Sequence, residues 1–243
     1  MLNRKVKKLF KEQAEYYSIE SSTAKSSPLV KLFLEWANKS PKKQIKIGEF
    51  GGAAGQLLAE LDKISPSSIK PYNIEIVKNY GDRQVLKKIK FFEGSILNPL
   101  FDDNFFDCLI IRDVLHHLVG KNLKETAANQ EKALLELKRL IKPGGIVLIE
   151  ELVTESQLSS RIIYGLSKLN SKLGFKSKSF EIIPDMIISF LTEKSLGRII
   201  SEIFEKEKIK IDKIPWNQEL KSRLMHLGAK NWKIILAITK KEQ

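Results

Sequence analysis

A short glycine-rich stretch, EFGGAAG at residues 49–55, contains the first residue types in the chain that indicate chemistry. It separates an apolar run from an amphipathic run, so it lies where a strand turns into a helix. Small residues at such a turn let backbone N–H groups approach a nucleotide-like ligand, and a plain tight turn is the alternative interpretation. The dinucleotide spacing G-x-G-x-x-G is not met, because Ala53 and Gln56 stand at its last two glycine positions. The spacing is E-x-G-x-A-x-G, formed by Glu49, Gly51, Ala53 and Gly55.

Polar residues also stand at the ends of the next predicted strands. Glu75 follows Gly55 by 20 residues, where a carboxylate can accept two hydrogen bonds from ribose hydroxyls. The third strand ends at EGSI, a place for a polar side chain beside an adenine edge. The fourth strand ends in RDVLHHL, which adds an arginine, an aspartate and two histidines. These residues predict one ligand site at the carboxyl edge of a sheet.

The elements that position these residues follow from hydrophobic periodicity. Apolar runs of strand length alternate with amphipathic runs of helix length from residue 45 to residue 151, which indicates βαβ units around a parallel sheet. The clearest helix is Asn122–Ile141, and the KPGG sequence after it predicts its end. The predicted strands are Gln44–Phe50, Tyr72–Val77, Ile89–Gly94, Phe106–Arg112 and Gly145–Leu152.

The pattern changes after Leu152. Residues 153–191 are expected to form a helical insertion, with apolar stripes from Ile162 to Leu173 and from Ile182 to Phe190. Thr192 is the expected N-cap of the next helix. Two late strands, Lys208–Ile214 and Asn231–Lys240, predict an antiparallel pair at a sheet edge. We therefore predict a single domain over residues 1–243, with a helical arm (1–43), a core (44–152), a helical lid (153–191) and a C-terminal helix with strands (192–243).

Charge is unevenly distributed along the 243 residues, whose formal net charge is +13. Residues 46–154 hold 15 basic and 15 acidic residues, whereas residues 1–45 hold 10 basic and 4 acidic ones. Residues 155–180 hold five basic residues and one acidic residue. Such flanks suit an anionic partner, either nucleic acid, a phosphorylated substrate or an acidic lipid surface; a solvated surface is the alternative.

No apolar run approaches the roughly 20 residues that span a bilayer, and the basic N-terminus lacks the apolar core of a secretory signal. A single cysteine, Cys108, excludes an internal disulfide framework. We expect a cytoplasmic protein in which Cys108 is a small buried side chain.

The ordered set of segments resembles the class I S-adenosylmethionine-dependent methyltransferases, especially the small-molecule group that includes ubiquinone and menaquinone biosynthesis enzymes. The resemblance covers nearly the whole chain and rests on EFGGAAG, NIEIV, FFEGSI, FFDCLIIRDVLHHL and LKRLIKPGG, in that order. It implies an α/β fold with a Rossmann-like, seven-stranded sheet, mostly parallel with the last strand antiparallel, plus a helical N-terminal arm and a helical lid. It also implies S-adenosylmethionine as the cofactor.

The resemblance assigns the glycine-rich turn to the methionine end of the cofactor and Glu75 to its ribose. Ser95 and Ile96 would contact the adenine, and Tyr17 belongs to an arm that folds over the cofactor. Ala53 replaces a usual glycine and Ser95 a usual aspartate, which predicts weaker cofactor binding. The residues so assigned are Tyr17, Glu49, Gly51, Gly52, Ala53, Gly55, Glu75, Ser95, Ile96, Arg112 and Asp113.

Methyl transfer from a sulfonium depends mainly on alignment and desolvation. A general base is needed only where the acceptor is a poorly acidic hydroxyl or carbon acid. The first candidate for that base is His117, followed by His116 and Asp113, and packing or capping by the histidines is the alternative. No cluster of His, Cys and Asp has metal-ligand spacing, so no metal is predicted.

The predicted function is methyl transfer to a small, apolar or acidic acceptor, because the lid combines apolar stripes with basic flanks. Two alternatives stay open, an RNA or tRNA methyltransferase that uses the basic arm and lid, and a cofactor-binding protein whose catalytic site has decayed. The loop after strand four, RDVLHHL, lacks the paired prolines of enzymes that methylate exocyclic base amines. Cys108 precedes the loop where a cytosine C5 nucleophile would stand, so nucleic acid is not the favoured partner. The sequence predicts no oligomeric state.

Overall fold

The fold was analysed in a computed structural model, which describes residues 4–12, 27–176, 183–216 and 230–241. Over these residues the helices are α1 (Arg4–Glu12), α2 (Pro28–Ala37), α3 (Gln56–Ile64), α4 (Leu123–Leu140), α5 (Gln157–Leu173) and α6 (Glu193–Ile203). The strands are β1 (Gln44–Phe50), β2 (Ser68–Glu75), β3 (Lys90–Glu93), β4 (Phe106–Arg112), β5 (Ile141–Thr154), β6 (Leu191–Thr192), β7 (Lys208–Trp216) and β8 (Asn231–Thr239). Short 3₁₀ turns follow β2 at Lys78–Arg83 and β4 at Leu115–His117.

The strands form one sheet in the order β3-β2-β1-β4-β5-β8-β7, and the two-residue β6 pairs with the end of β5. Strands β1 to β5 are parallel to one another, whereas β8 runs antiparallel to both β5 and β7. The predicted α/β fold is confirmed, with seven main strands in a mostly parallel sheet and an antiparallel last strand of the chain, β8. Strand β8 lies one place in from the edge, which β7 forms. The strand order reverses between β1 and β4, which is where open α/β sheets bind their ligands.

Helices cover both faces of the sheet. In β4, Leu109 and Ile111 pack on the face that α4 and α6 cover, while Cys108 and Ile110 pack on the face that α2 and α3 cover. Alternate residues of a strand point to opposite faces, so a fully apolar strand can serve two cores. Cys108 is therefore the small buried side chain that was predicted, and burial raises the pKa of its thiol well above its ordinary value.

Local signals set the helix ends. The Asn122 side chain accepts a hydrogen bond from the backbone N–H of Glu125 at 2.9 Å and caps α4, which ends at Leu140 just before KPGG. Thr192 forms a capping box with Ser195 at the start of α6, as predicted.

Two sequence predictions were wrong. Residues 183–190, the part of the predicted apolar stripe from Ile182 to Phe190 that the structure describes, are not helical and run as a turn followed by irregular chain. Pro184 supplies no backbone N–H, and the Ser189 backbone is hydrogen-bonded outside any helix, donating to the His116 carbonyl at 2.9 Å. Strand β2 was predicted to begin after Pro71, but it begins at Ser68. Proline is tolerated there because the pairing with β3 starts only at residue 72.

Candidate active site

A pocket of about 340 Å³ lies at the carboxyl ends of β1, β2, β4 and β5. It extends from β3 on one side to β8 on the other, across the point where the strand order reverses. Most of the predicted cofactor residues line it, namely Gly51, Gly52, Ala53, Glu75, Ser95, Ile96, Arg112 and Asp113.

The glycine-rich turn forms the floor of the pocket. Gly51 has φ +76° and Gly55 has φ +77°, and the Gly51 N–H donates to the Ile74 carbonyl at 2.9 Å. A Cβ at Gly52 would lie 2.6 Å from Glu49 Oε2, so a side chain does not fit there. Ala53 also has a positive φ of +47°, which costs an L residue roughly 1 kcal/mol and explains why glycine suits this position.

Two residues of the predicted turn set do not line the pocket. Glu49 is buried beneath the turn, where its Oε1 lies 3.5 Å from Arg112 Nε. Burial raises the pKa of Glu49 although the Arg112 charge acts in the opposite direction. Gly55 begins α3, and a Cβ on it would lie 2.7 Å from Ile89 Cδ1, so its role in the structure is close packing.

Glu75 combines burial with access to the pocket. Its Oε1 accepts a hydrogen bond from the Ile76 N–H at 2.8 Å, and its Oε2 accepts one from the Ala53 N–H at 3.4 Å. Burial raises the pKa of Glu75 to about 7 despite these hydrogen bonds. A carboxyl group whose pKa is near 7 is partly ionised at neutral pH, and its ionised form accepts hydrogen bonds from ligand hydroxyls.

The end of the pocket beside β3 is mainly apolar. Ile76, Tyr80 and Ile96 line it together with Ser95. The Ser95 hydroxyl already accepts a hydrogen bond from the Leu97 N–H at 3.2 Å. Such walls suit a flat heterocycle with few polar contacts.

At the opposite end a lysine lies between two acids. Lys233 Nζ is 2.6 Å from Glu150 Oε1 and 3.3 Å from Asp113 Oδ2, and all three residues line the pocket. Burial lowers the pKa of Lys233, but the charges of Asp113 and Glu150 outweigh it and raise that pKa. Asp113 has φ +51°, and its Oδ1 is buried without a hydrogen-bond partner among the described residues. Strained backbone and an unsatisfied carboxylate oxygen indicate a ligand-binding position.

The two histidines have different environments. His116 is buried and its Nδ1 lies 2.5 Å from Glu151 Oε1, outside the pocket lining. Burial lowers the pKa of His116, but the charge and the hydrogen bond of Glu151 raise it by more, so the pKa of His116 lies above its ordinary value. His117 lines the pocket, and burial together with the charge of His116 holds its pKa well below the ordinary value. Its Nδ1 finds no partner within the described part of the chain.

Atoms of Asp113, His116 and Glu151 lie within 4.8 Å of one another, a set that a cation could in principle use. Each oxygen of Glu151 already accepts hydrogen bonds, from His116 and from the Leu115 N–H at 2.7 Å. The Lys233 ammonium beside Asp113 also repels a cation. The prediction that no metal is used therefore stays a prediction that this geometry favours.

The N-terminal helix reaches the pocket. Phe10 of α1 lines it, and its ring meets the His117 ring edge to face at 5.0 Å between centroids. Lys7 forms an ion pair with Glu93 at the end of β3, with 2.9 Å between Nζ and Oε1. Tyr17, the predicted aromatic of this arm, lies outside the described residues.

The sequence analysis missed Glu150, Glu151 and Lys233. Two adjacent glutamates inside the apolar run GIVLIEEL were a usable signal, because buried acids in a strand require partners. Lys233 carried no such signal, since only the antiparallel register of β8 on β5 brings it to Glu150.

A second cleft, of about 590 Å³, lies at the amino end of β5 and is lined by six lysines. Lys42 there pairs with the buried Asp107, and Lys210 pairs with Glu35. The cleft is therefore a basic surface at the opposite ends of the parallel strands from the pocket.

Comparison with known proteins agrees with this geometry. A family model described as a methyltransferase domain matches residues 48–149, which include the glycine-rich turn, Glu75 and both histidines. The chain is 28% identical over 180 residues to the ubiquinone/menaquinone biosynthesis C-methyltransferase UbiE of Francisella tularensis subsp. novicida, across 72% of this chain and 60% of that protein. The chain thus spans less than two thirds of the length of this relative.

Solved structures share the fold at low identity. The YcgJ protein from Bacillus subtilis aligns over 88% of this chain and 98% of its own, with a TM-score of 0.58 and 13% identity. Phosphoethanolamine N-methyltransferase 2 of Haemonchus contortus, in complex with phosphomonomethylethanolamine and S-adenosylhomocysteine, aligns over 87% of this chain and 52% of its own, with a TM-score of 0.56 and 13% identity.

Proposed function

We propose that the chain is a class I S-adenosylmethionine-dependent methyltransferase and that it transfers a methyl group to a small apolar acceptor that has an acidic hydroxyl or carbon acid. The observation that carries this proposal is the pocket itself, in which a glycine turn, a buried carboxylate and a neutral histidine converge. The relative is a C-methyltransferase of ubiquinone and menaquinone biosynthesis, which supports a carbon acceptor for this chain as well.

The residues of the pocket fit the cofactor. The turn at Gly51 and Gly52 lines the pocket with backbone atoms, because neighbouring side chains leave no room for a Cβ at either glycine. Glu75 offers carboxylate oxygens to ribose hydroxyls, and Ile76 and Ile96 offer apolar walls to the adenine. The unsatisfied oxygen of Asp113 would accept from the ammonium group of the methionine part.

When bound, S-adenosylmethionine would supply an electrophilic methyl group, with the neutral thioether S-adenosylhomocysteine as the leaving group. The protein contributes alignment and exclusion of water, which Phe10 and the apolar walls support. His117 lines the pocket and is the candidate group to accept a proton from the acceptor, because its lowered pKa keeps the ring neutral at pH 7. A base of low pKa deprotonates only an acceptor whose anion is itself stabilised, which favours a phenol or an activated carbon acid. His116 is held by Glu151 and acts as its structural partner.

Calorimetric titration with S-adenosylmethionine and S-adenosylhomocysteine tests the cofactor assignment. Micromolar binding of both ligands, weakened in Glu75→Ala, would support it and would justify a screen of apolar phenols and carbon acids for methyl transfer. A folded protein that binds neither ligand would refute the proposal, and binding without transfer to any acceptor would favour a site that has lost catalysis.

A further inference from the structure

The lid helix α5 presents an apolar stripe to solvent. Its exposed members recur every three or four residues and therefore lie on one helix face. They are Leu158 (68% exposed), Ile162 (40%), Leu166 (54%), Leu169 (51%) and Leu173 (72%), and we call them the outer stripe. Phe175, 60% exposed, continues it just beyond the helix.

The outer stripe is not the face that anchors the helix. The opposite side of α5 anchors the helix. There Ile163 packs with Leu152 and Phe190, and Tyr164 packs with Val119 and Ile187. The Tyr164 hydroxyl also donates to the Gly120 carbonyl at 3.3 Å. A surface helix normally keeps one apolar face for the core, so a second one facing water indicates an interaction surface.

The positive charge on and around α5 favours an anionic partner. Residues 157–180 contain five basic residues and no acidic residue. Arg161 and Lys172 are exposed and lie along one flank of the outer stripe, with Lys168 beside them. The Ser156 side chain caps the start of α5, and Gly174, with φ +73°, caps its end. The helix is about 25 Å long. A helix with aliphatic residues on one face and cations beside them has the composition of an interfacial membrane helix.

We propose that the outer stripe of α5 is a docking surface for an anionic lipid bilayer, with the helix lying in the plane of the interface. Leucine and isoleucine side chains enter the acyl boundary, while Arg161 and Lys172 contact lipid phosphates. A second copy of this chain fits less well, because two such helices would bring like charges together with no acid on either. Within the described residues no helix is long and apolar enough to cross a membrane.

The helix that carries the outer stripe contacts the candidate pocket region through its other side. Tyr164 of α5 contacts Val119, two residues after His117, in a cluster against which Phe10 also packs. If the chain methylates an apolar acceptor, docking through α5 would bring the pocket to the phase in which that acceptor dissolves. This last step rests on the proposed function, whereas the docking itself does not.

Vesicle flotation of the full chain tests the proposal without any activity measurement. Vesicles of phosphatidylcholine with about 30% phosphatidylglycerol are compared with pure phosphatidylcholine at low and high salt. We expect partitioning at least about tenfold stronger into the anionic vesicles, decreasing with salt. The variant Leu166→Ser with Leu169→Ser should lose at least about tenfold, and Arg161→Gln with Lys172→Gln should lose most of the salt-sensitive part.

Matched controls use exposed residues elsewhere. Leu100 and Leu135 are also exposed, 84% and 49%, so Leu100→Ser with Leu135→Ser should change partitioning less than about twofold. Lys87→Gln with Lys194→Gln serves as the control for charge. Circular dichroism checks that each variant is folded. Absence of vesicle binding by the wild type, or equal losses in the control pairs, would overturn the proposal. A dimer in solution that the Leu166 and Leu169 substitutions dissociate, without vesicle binding, would assign the stripe to a second copy and also overturn it.

Discussion

The buried carboxylate of Glu75 predicts that cofactor affinity depends on pH. Burial raises its pKa from 4.5 to about 7, so the carboxyl group is about one tenth ionised at pH 6 and about nine tenths ionised at pH 8. Only the ionised form accepts hydrogen bonds from two ribose hydroxyls with both oxygens. Since the apparent affinity scales with the fraction of competent protein, S-adenosylhomocysteine should bind about tenfold more tightly at pH 8 than at pH 6.

Calorimetric titration at pH 6, 7 and 8 measures this dependence in the wild type and in Glu75→Gln. The glutamine variant should bind more weakly at pH 8 and show little change with pH. His116, whose pKa is also raised, is retained in both proteins, so any contribution from it cancels in the comparison. Glu93→Gln removes an exposed carboxylate at the end of the neighbouring strand and should keep the wild-type dependence.

The same titration has a consequence for stability. The folded state binds the Glu75 proton more tightly than the unfolded state, so the free energy of unfolding falls as pH rises from 4.5 to 7. The difference between those values corresponds to about 3 kcal/mol, which Glu75→Gln should recover at pH 8 in urea unfolding. An affinity for S-adenosylhomocysteine that is independent of pH in the wild type, or equally dependent in Glu75→Gln, would refute the reasoning.

Three further predictions concern the same site. His117→Ala should lower kcat by about 10²-fold or more with little change in S-adenosylhomocysteine affinity, measured in single-turnover assays once an acceptor is known; an equal loss of affinity would mean that the ring is structural. Gly52→Ala should weaken S-adenosylhomocysteine binding at least about tenfold and destabilise the fold by about 2 kcal/mol in urea, because its Cβ would meet Glu49 at 2.6 Å. Glu151→Ala should cost about 3 kcal/mol by leaving His116 unpaired. Because the folded pKa of His116 is raised, that cost should be larger at pH 6 than at pH 8, and a cost without pH dependence would contradict the pairing.

The sequence alone determined the core of the fold. Strands β1 and β4 have the predicted bounds, because fully buried parallel strands must be continuous apolar runs. The ends of α4 and the start of α6 were also predictable, since Asn122 and Thr192 cap the backbone through local hydrogen bonds. The glycine-rich turn and Glu75 were predictable as a shared site because the carboxyl ends of neighbouring parallel strands meet at one edge.

Only the tertiary structure decided which polar groups face the ligand. The sequence favoured His117 over its neighbour His116 as the base, but only packing shows that His116 contacts Glu151 and that His117 lines the pocket. Lys233 reaches Glu150 through a register between strands more than 80 residues apart, which no local pattern encodes. The apolar periodicity of α5 likewise predicted a helix, but it did not predict which side of the helix packs on the core. Both sides are apolar, and only one of them can be buried there. Local hydrogen bonds and hydrophobic periodicity depend on residues that are close in the sequence, so a short stretch of sequence predicts them. The burial and pairing of a side chain depend on which distant segment packs against it, so only the tertiary structure decides them.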